Sequence, residues 1–491
     1  MNTKLLPYSQ SLGLLTDLYQ LTMAYGYWKS GMHEKEAVFN LFFRKNPFGG
    51  GFSVACGLAY AVDYLENFSF DDSDIEYLSS LKGNDNKVLF EKDFLDYLKK
   101  MDFKCDIDAI PEGEIVFPFE PLIRVKGPII QSQILETVLL NIINFQTLIA
   151  TKAARMSIVA INEPILEFGL RRAQGFDGSL AASRAAYIGG TSATSNVLAG
   201  KLFGIPVKGT HAHSWIMSFD DELESFKAYA AAMPNNCVFL VDTYDTIEGI
   251  KKAVVVGKML RKDGFKMAGI RLDSGDLAYL SIEARKILDE NGFDDAKIIA
   301  TNDLDEIILD SLKGQGAKID IWGIGTKLIT AYGQPALGGV YKMSAVRAKG
   351  EKWKFKVKLS EQSIKVSNPG IQQVRRYFND TENIGDVIYD CEKDLSKGCI
   401  MVSPFDMTKQ KKISHDTEYR DLLIPVFEKG KLVYDLPDIQ MIKEKTIKDI
   451  KKFHSGIKRL VNPHEYPVGL EKTLFAMKTD LILQSREGEC K

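Results

Sequence analysis

Ile205-Pro206-Val207-Lys208-Gly209-Thr210-His211-Ala212-His213-Ser214-Trp215 is the stretch from which an architecture emerges, and it holds two of the six histidines in the chain. Its first four residues read as a short buried strand, and Gly209-Thr210 breaks it. The two imidazoles therefore fall where a strand ends and a loop begins. In a repeating β/α architecture that end of the strands is the functional face. A neutral imidazole near pH 7 serves as nucleophile, general base or metal ligand, and the His-x-His pair alone does not choose among them.

Working outward, the sequence from Ile165 to Ala345 alternates short apolar runs with amphipathic helical stretches, the pattern of parallel β/α units. Strands are expected at 165–168, 205–208, 237–241, 267–272, 297–300 and 319–322. Each ends in polar or small residues: Gly169-Leu170-Arg171-Arg172, Thr210-His211-Ala212-His213, Asp242-Thr243, Asp273-Ser274-Gly275-Asp276, Thr301-Asn302-Asp303 and Gly323-Ile324-Gly325-Thr326. One polar strand end is an ordinary turn, but six in succession favour a β/α barrel with its site at the C-terminal strand ends. A long helical pattern from about Gln131 to Ala160 leads into this region.

Before it, Thr16-Asp17 caps a helical pattern carrying Tyr19 and ended by Gly31. Ala37 to Arg44 reads as a strand, Asn46 to Gly51 as a flexible loop, and 69–100 as an acidic helical region with a turn at Lys82 to Asn86. Glu114 to Lys126, punctuated by Pro118 and Pro121, suggests edge strands. After Ala345, Lys352 to Lys358 alternates lysine with apolar residues, an edge strand guarded by charge. The basic stretch Lys443 to Arg459 reads as a solvated helix face.

The 491 residues, 45% of them hydrophobic, suffice for a large core and about three domains. A net charge of −2 argues against non-specific nucleic-acid binding, since no overall positive field displaces counterions. Met1 to Pro7 lacks the apolar core of a signal peptide, and no run is expected to reach the length of a membrane span. The six cysteines form no Cys-x-x-Cys pair, so a cytoplasmic protein with free thiols is expected.

The strand ends suggest anionic ligands. Gly323-Ile324-Gly325-Thr326 offers backbone N–H groups and a hydroxyl to a phosphate, or is simply a tight turn. Arg271-Leu272-Asp273-Ser274-Gly275-Asp276 sets two carboxylates beside a cation, suited to Mg2+ or hydroxyls, with a helix N-cap at Ser274 or Asp276 as the plainer reading. Arg171-Arg172 clamps a phosphate or forms a surface ion pair. Together they imply a sugar phosphate or nucleotide. Lys208 is the nearest lysine to a Schiff-base position and more plainly binds an anion or packs.

Seven motifs in a fixed order carry a resemblance: Leu15-Thr16-Asp17-Leu18-Tyr19-Gln20, Arg44 to Phe52, Glu167-Phe168-Gly169-Leu170-Arg171-Arg172, Gly209 to Trp215, Arg271 to Leu277, Gly323 to Thr326, and Gln334 to Lys342. The chain resembles the nicotinate phosphoribosyltransferase family from residue 14 to about 376, including Lys358-Leu359-Ser360 and Ser367-Asn368-Pro369-Gly370. The resemblance implies an irregular β/α barrel of the type II phosphoribosyltransferase kind, at 131–345. A mixed α+β domain would be formed by N-terminal (1–130) and C-terminal (346–491) segments.

It also implies an activity in NAD salvage: nicotinate and 5-phosphoribosyl 1-diphosphate give nicotinate mononucleotide and diphosphate, with ATP hydrolysis coupled and Mg2+ the expected metal. On this reading His213 is transiently phosphorylated, and nicotinate stacks between Phe168 and Tyr19, Tyr19 coming from the other subunit of a homodimer. Thr210 and Arg271 would contact nicotinate or ribose, and Thr326, with Gly323 and Gly325, the 5-phosphate. Arg171 would also hold phosphoribosyl diphosphate, and Asp273 the ribose hydroxyls or metal. Ser192, in Gly190-Thr191-Ser192, would replace the aspartate of nicotinamide-specific relatives, so a carboxylate meets no repulsion. Nicotinamide or quinolinate phosphoribosyltransferases, and a catalytically silent nucleotide-binding relative, are the alternatives. ATP dependence separates quinolinate enzymes, and intact Arg171, His213, Arg271, Asp273 and Thr326 weigh against silence.

Overall fold

The computed structural model describes residues 11–489. The reading of Met1 to Pro7, and Cys490, lie outside the described residues. The chain divides into two compact units, Ile149–Pro335 and Met1–Leu148 with Ala336–Lys491. These bounds differ from divisions at 130 and 345. The first falls inside the helix Glu136–Ala160, where no change of composition marks it. The second excludes the strand Val340–Arg347, which pairs antiparallel with Glu36–Phe42 in the other unit's sheet.

The unit Ile149–Pro335 is built on six parallel strands: β1 (Ile165–Glu167), β2 (Ala193–Thr194), β3 (Val238–Leu240), β4 (Gly269–Leu272), β5 (Lys297–Ala300) and β6 (Ile321–Ile324). Their spatial order is β2-β1-β6-β5-β4-β3. The strands are apolar along most of their length, as fits a sheet covered on both faces. Four of the intervening helices begin with an aspartate whose carboxylate accepts a backbone N–H of the first turn: Asp221, Asp245, Asp276 and Asp305. Asp276 is thus the N-cap.

The strand expected at 267–272 begins only at Gly269, and two others depart further. Only Val207 of 205–208 pairs, in a single parallel bridge to Thr194, because Pro206 has no N–H to donate and offers only its carbonyl, to Thr194 N. The strand expected at 319–322 starts two residues later, since Asp320 turns its carboxylate to Ile298 N (2.9 Å) and Lys297. Gly323 therefore lies within β6.

The other unit holds a seven-stranded sheet and a six-stranded sheet. Ile123–Pro128 lies centrally in the seven-stranded sheet, between Glu36–Phe42 and Asp106–Ala109, not at an edge. The prolines at 118 and 121 precede this strand and leave its ladder intact. Lys354–Phe355 is the edge strand the lysine alternation suggests, though only two residues long. Much of the tail is strand, with Gln372–Phe378 and Asn383–Asp390 paired along their length. Under them, buried Arg376 bridges Asp386 and Glu114, with the rings of Phe117, Phe453 and Tyr466 around its guanidinium.

Contrary to the expectation for membrane spans, Ile129–Ala160 is long and apolar enough to cross a membrane by length and composition. It is 67% buried over its most apolar window, as a core helix is.

Candidate active site

A cavity of about 670 Å³ opens at the C-terminal ends of the parallel strands. β1 supplies Phe168, Arg171 and Arg172, and β2 supplies Ser195. The segment after the Val207 bridge supplies Gly209 to Ser214, and β4 supplies Arg271 and Asp273. Thr301, Asn302 and Asp303 come from β5, and Gly323, Gly325 and Thr326 from β6.

The two histidines separate by environment. His211 is buried, its Nε2 accepts the Leu240 N–H at 3.3 Å, and burial pushes its pKa down to about 4. It is a neutral structural imidazole. His213 is 38% exposed, with Nδ1 3.1 Å from the Thr243 hydroxyl and Nε2 3.5 Å from an Asp273 carboxylate oxygen. The ring is aimed by both contacts and remains open to the cavity.

Arg271 reaches across the strand ends to donate Nη1–H to the Thr210 hydroxyl. Burial lowers its pKa, against the pull of Asp273 and Asp242, and its Nε is buried without a protein acceptor. That unmet donor suits an anionic ligand. Asp273 accepts the Thr301 hydroxyl through Oδ1 and turns Oδ2 toward His213. Beneath it, Asp242 accepts Asp273 N (3.0 Å) and Ser274 Oγ (2.6 Å) through Oδ2, while its Oδ1 is buried without a partner. The strand end Asp242-Thr243 was visible in the sequence, but nothing there showed that both side chains support Asp273 and His213.

The glycines of β6 answer to packing. A Cβ on Gly323 would lie 2.5 Å from Thr301 Cγ2 and 2.8 Å from a Phe168 ring carbon, and one on Gly325 would lie 3.0 Å from Phe168 O. Phe168 thus stands on bare backbone. Asn302 and Asp303 line the cavity at φ 91° and 29°, left-handed backbone of the kind concentrated at functional sites.

Ser192 is a correction. Its N–H bonds to Ile165 O at the start of β1, whereas Ser195 N bonds to Glu167 O at the other end. Ser192 therefore stands at the N-terminal end of β2 and does not line the cavity, and Ser195 does. β2 is only two residues long and flanked by Gly and Ser, so its direction was hidden in the sequence. Tyr19 belongs to the other unit, on the helix Leu18–Lys29, 49% exposed and not among the residues lining the cavity. Lys342, in that same unit, has its pKa lowered by burial and by Arg44 and Lys358. Tyr19 and Lys342 both feel Glu136, which places that ring and that cation in one neighbourhood, with Arg44 and Lys358 near Lys342. Arg44, Lys342 and Lys358 stand in the quoted motifs, but their proximity appears only on folding.

In fold and site the chain is a phosphoribosyltransferase of the type II kind. It aligns with the crystal structure of human nicotinic acid phosphoribosyltransferase at TM-score 0.82 and 31% identity, over 95% of this chain and 99% of that one. The same fold recurs in nicotinate-nucleotide pyrophosphorylase from Pyrococcus furiosus, TM-score 0.68 at 22% identity, over 91% and 98% of the two chains. Family models for the nicotinate phosphoribosyltransferase N-terminal domain, the family itself and its C-terminal domain match residues 14–144, 164–382 and 371–478. The nicotinate phosphoribosyltransferase of Bacillus subtilis is 47% identical over 96% of this chain and 95% of that protein. The chain belongs to the nicotinate phosphoribosyltransferase family.

Proposed function

We propose that the chain joins nicotinate to the phosphoribosyl group of 5-phosphoribosyl 1-diphosphate, releasing diphosphate, as a step of NAD biosynthesis coupled to ATP hydrolysis. The observation that carries this reading is the single cavity that gathers Phe168, Arg171, Thr210, His213, Arg271, Asp273 and Thr326. In the transfer, the C1–O bond of the donor breaks and diphosphate leaves with the electron pair. The pyridine nitrogen supplies its own lone pair to C1, so no proton moves. The work falls on stabilising the departing anion and the cationic ribose, which fixed charges do without reorganising.

Phe168 offers a flat face to the pyridine ring. Arg271, desolvated and short of an acceptor at Nε, meets a carboxylate or ribose oxygen beside Thr210. Arg171 and the Gly325-Thr326 turn face the phosphates, and Asp273 the ribose hydroxyls. Of the carboxylates, Asp273 lines the cavity and would hold Mg2+, with Asp242 beneath it keeping a buried, unpartnered Oδ1. No cluster of three or more metal-binding side chains occurs among the described residues, the usual case for a cation completed by substrate oxygens. Bound there, Mg2+ would neutralise diphosphate.

His213 is the proposed phosphoryl acceptor from ATP. A phosphoryl group on it sets new negative charge beside Asp273, a repulsion able to reset the loop and tighten substrate binding. The protein is proposed to be cytoplasmic and to act as a homodimer. In each site Tyr19 of one subunit would complete the cavity of its partner. The placing of Tyr19 and Lys342 by Glu136, with Arg44 and Lys358 beside Lys342, supports this, because that face suits an aromatic acid and its phosphates.

The test is diphosphate release with nicotinate, nicotinamide or quinolinate, with and without ATP and Mg2+, for wild type and His213→Ala. Nicotinate preferred, with ATP stimulating wild type alone, is the expected result. Stimulation that survives in His213→Ala overturns the histidine's role, and preference for another pyridine overturns the substrate.

A further inference from the structure

Glu167 closes β1, is fully buried, and has no place in the chemistry above. Its carboxylate is held by three neutral donors. Oε1 accepts the Gly169 N–H, and Oε2 accepts the hydroxyls of Ser183 (2.8 Å) and Thr194 (2.6 Å). The proton directions are set by Asn196. Its backbone N–H donates to Thr194 Oγ1 at 3.0 Å and its Nδ2 to Ser183 Oγ at 3.4 Å, so each hydroxyl already accepts and turns its own proton to Glu167. All three partners need an acceptor, and among side chains of this shape only a carboxylate accepts at both oxygens.

The two oxygens serve different parts of the cavity. Gly169 opens the turn Leu170–Arg172 and has no other side-chain cap, so the Oε1 bond fixes the turn that carries the arginines. Thr194 ends β2 immediately before Ser195, so the Oε2 bonds fix the strand end beside Phe168. Burying a carboxylate away from water is costly unless every lone pair has work, and here that cost falls directly beneath the site.

We propose that Glu167 is a positioning residue with two limbs. The Oε1 limb sets the arginine turn for the phosphoribosyl donor, and the Oε2 limb sets the Ser195 strand end, together with Phe168, for the pyridine acid. The assignment of substrates to limbs rests on the function proposed above.

Two variants separate the limbs. Glu167→Gln keeps the shape but turns an amide NH2 against the donors of one limb, and should raise KM about tenfold for at least one substrate. Ser183→Ala touches the Oε2 limb alone and should raise KM for nicotinate about fivefold while KM for phosphoribosyl diphosphate stays within twofold. A general loss of stability would not divide the substrates in this way. Glu167→Gln with both KM values within twofold of wild type overturns the proposal, as does Ser183→Ala raising both equally. If Glu167→Gln does not fold, Ser183→Ala carries the test. Amide exchange gives a readout free of activity: Glu167→Gln should speed exchange at Gly169, at Ser195 or at both, and unchanged exchange at both overturns the proposal. A wild type that does not use nicotinate would sink the function, and exchange would still decide whether Glu167 holds both segments.

Discussion

Gly323→Ala tests whether Phe168 is the surface on which substrate lies. The added methyl would sit 2.5 Å from Thr301 Cγ2 and 2.8 and 2.9 Å from two Phe168 ring carbons, against an ordinary carbon contact of roughly 3.5 to 4.0 Å. The ring must retreat by about 0.6 to 1.2 Å, or the barrel must give. Overpacking of this kind costs about 1 to 3 kcal/mol. If the ring yields, the cost appears in binding, at tenfold per roughly 1.4 kcal/mol, so KM for nicotinate should rise about five- to hundredfold. If the barrel yields, stability falls by the same amount. Diphosphate release against nicotinate concentration, beside a urea melt, reads both. Thr301→Ser removes the 2.5 Å contact while keeping the hydroxyl that bonds Asp273, so adding it should recover part of either loss. Nicotinate KM within twofold and stability within about 0.5 kcal/mol of wild type would refute the packing account of Gly323.

Three further outcomes are expected. Ser195→Asp brings a second carboxylate to the pyridine acid and should weaken nicotinate at least tenfold but nicotinamide less than threefold, by like-charge repulsion; equal losses, measured as KM, would show that Ser195 does not face the acid. His211 takes a proton near pH 6.5 when unfolded but only near 4 when folded. Protons in that window favour the unfolded chain, so its contribution is full above about pH 6.5 and falls as pH drops toward 4. At pH 5 the loss is about 2 kcal/mol, and urea melts at pH 7 and 5 should show wild type losing that much more than His211→Phe. Arg376→Met leaves Asp386 buried without its cation, while Glu114 keeps Arg420 and Lys445, and should lower stability by about 3 to 5 kcal/mol, which a melt without that loss would contradict.

What the sequence disclosed depended on whether a residue's surroundings are local. Gly269–Leu272 and Lys297–Ala300 are apolar runs closed by Asp273 and by Thr301-Asn302, and both strands and their site residues were readable from that contrast. The two-residue strand Ala193–Thr194 has no such run, because its existence depends on neighbours far along the chain. The direction of Ser195 was lost with it, and attention fell on Ser192. Ile123–Pro128 looked like an edge because of nearby prolines, yet strand position follows from which partners arrive on each side. Likewise His211 and His213 are alike in sequence, and only the Leu240 amide on one and Thr243 with Asp273 on the other divide their work.

The single bridge at Val207 leaves a gap in the backbone ladder between β2 and β3. The segment that crosses it is fastened instead by side chains: Thr210 to Arg271, His211 to Leu240, His213 to Thr243 and Trp215 to Ser225. Fastenings of about 1 kcal/mol each can be exchanged one at a time, whereas a ladder resists piecemeal change. The seam is therefore where divergence can retune the enzyme's response to its ligands while the rest of the barrel keeps its form.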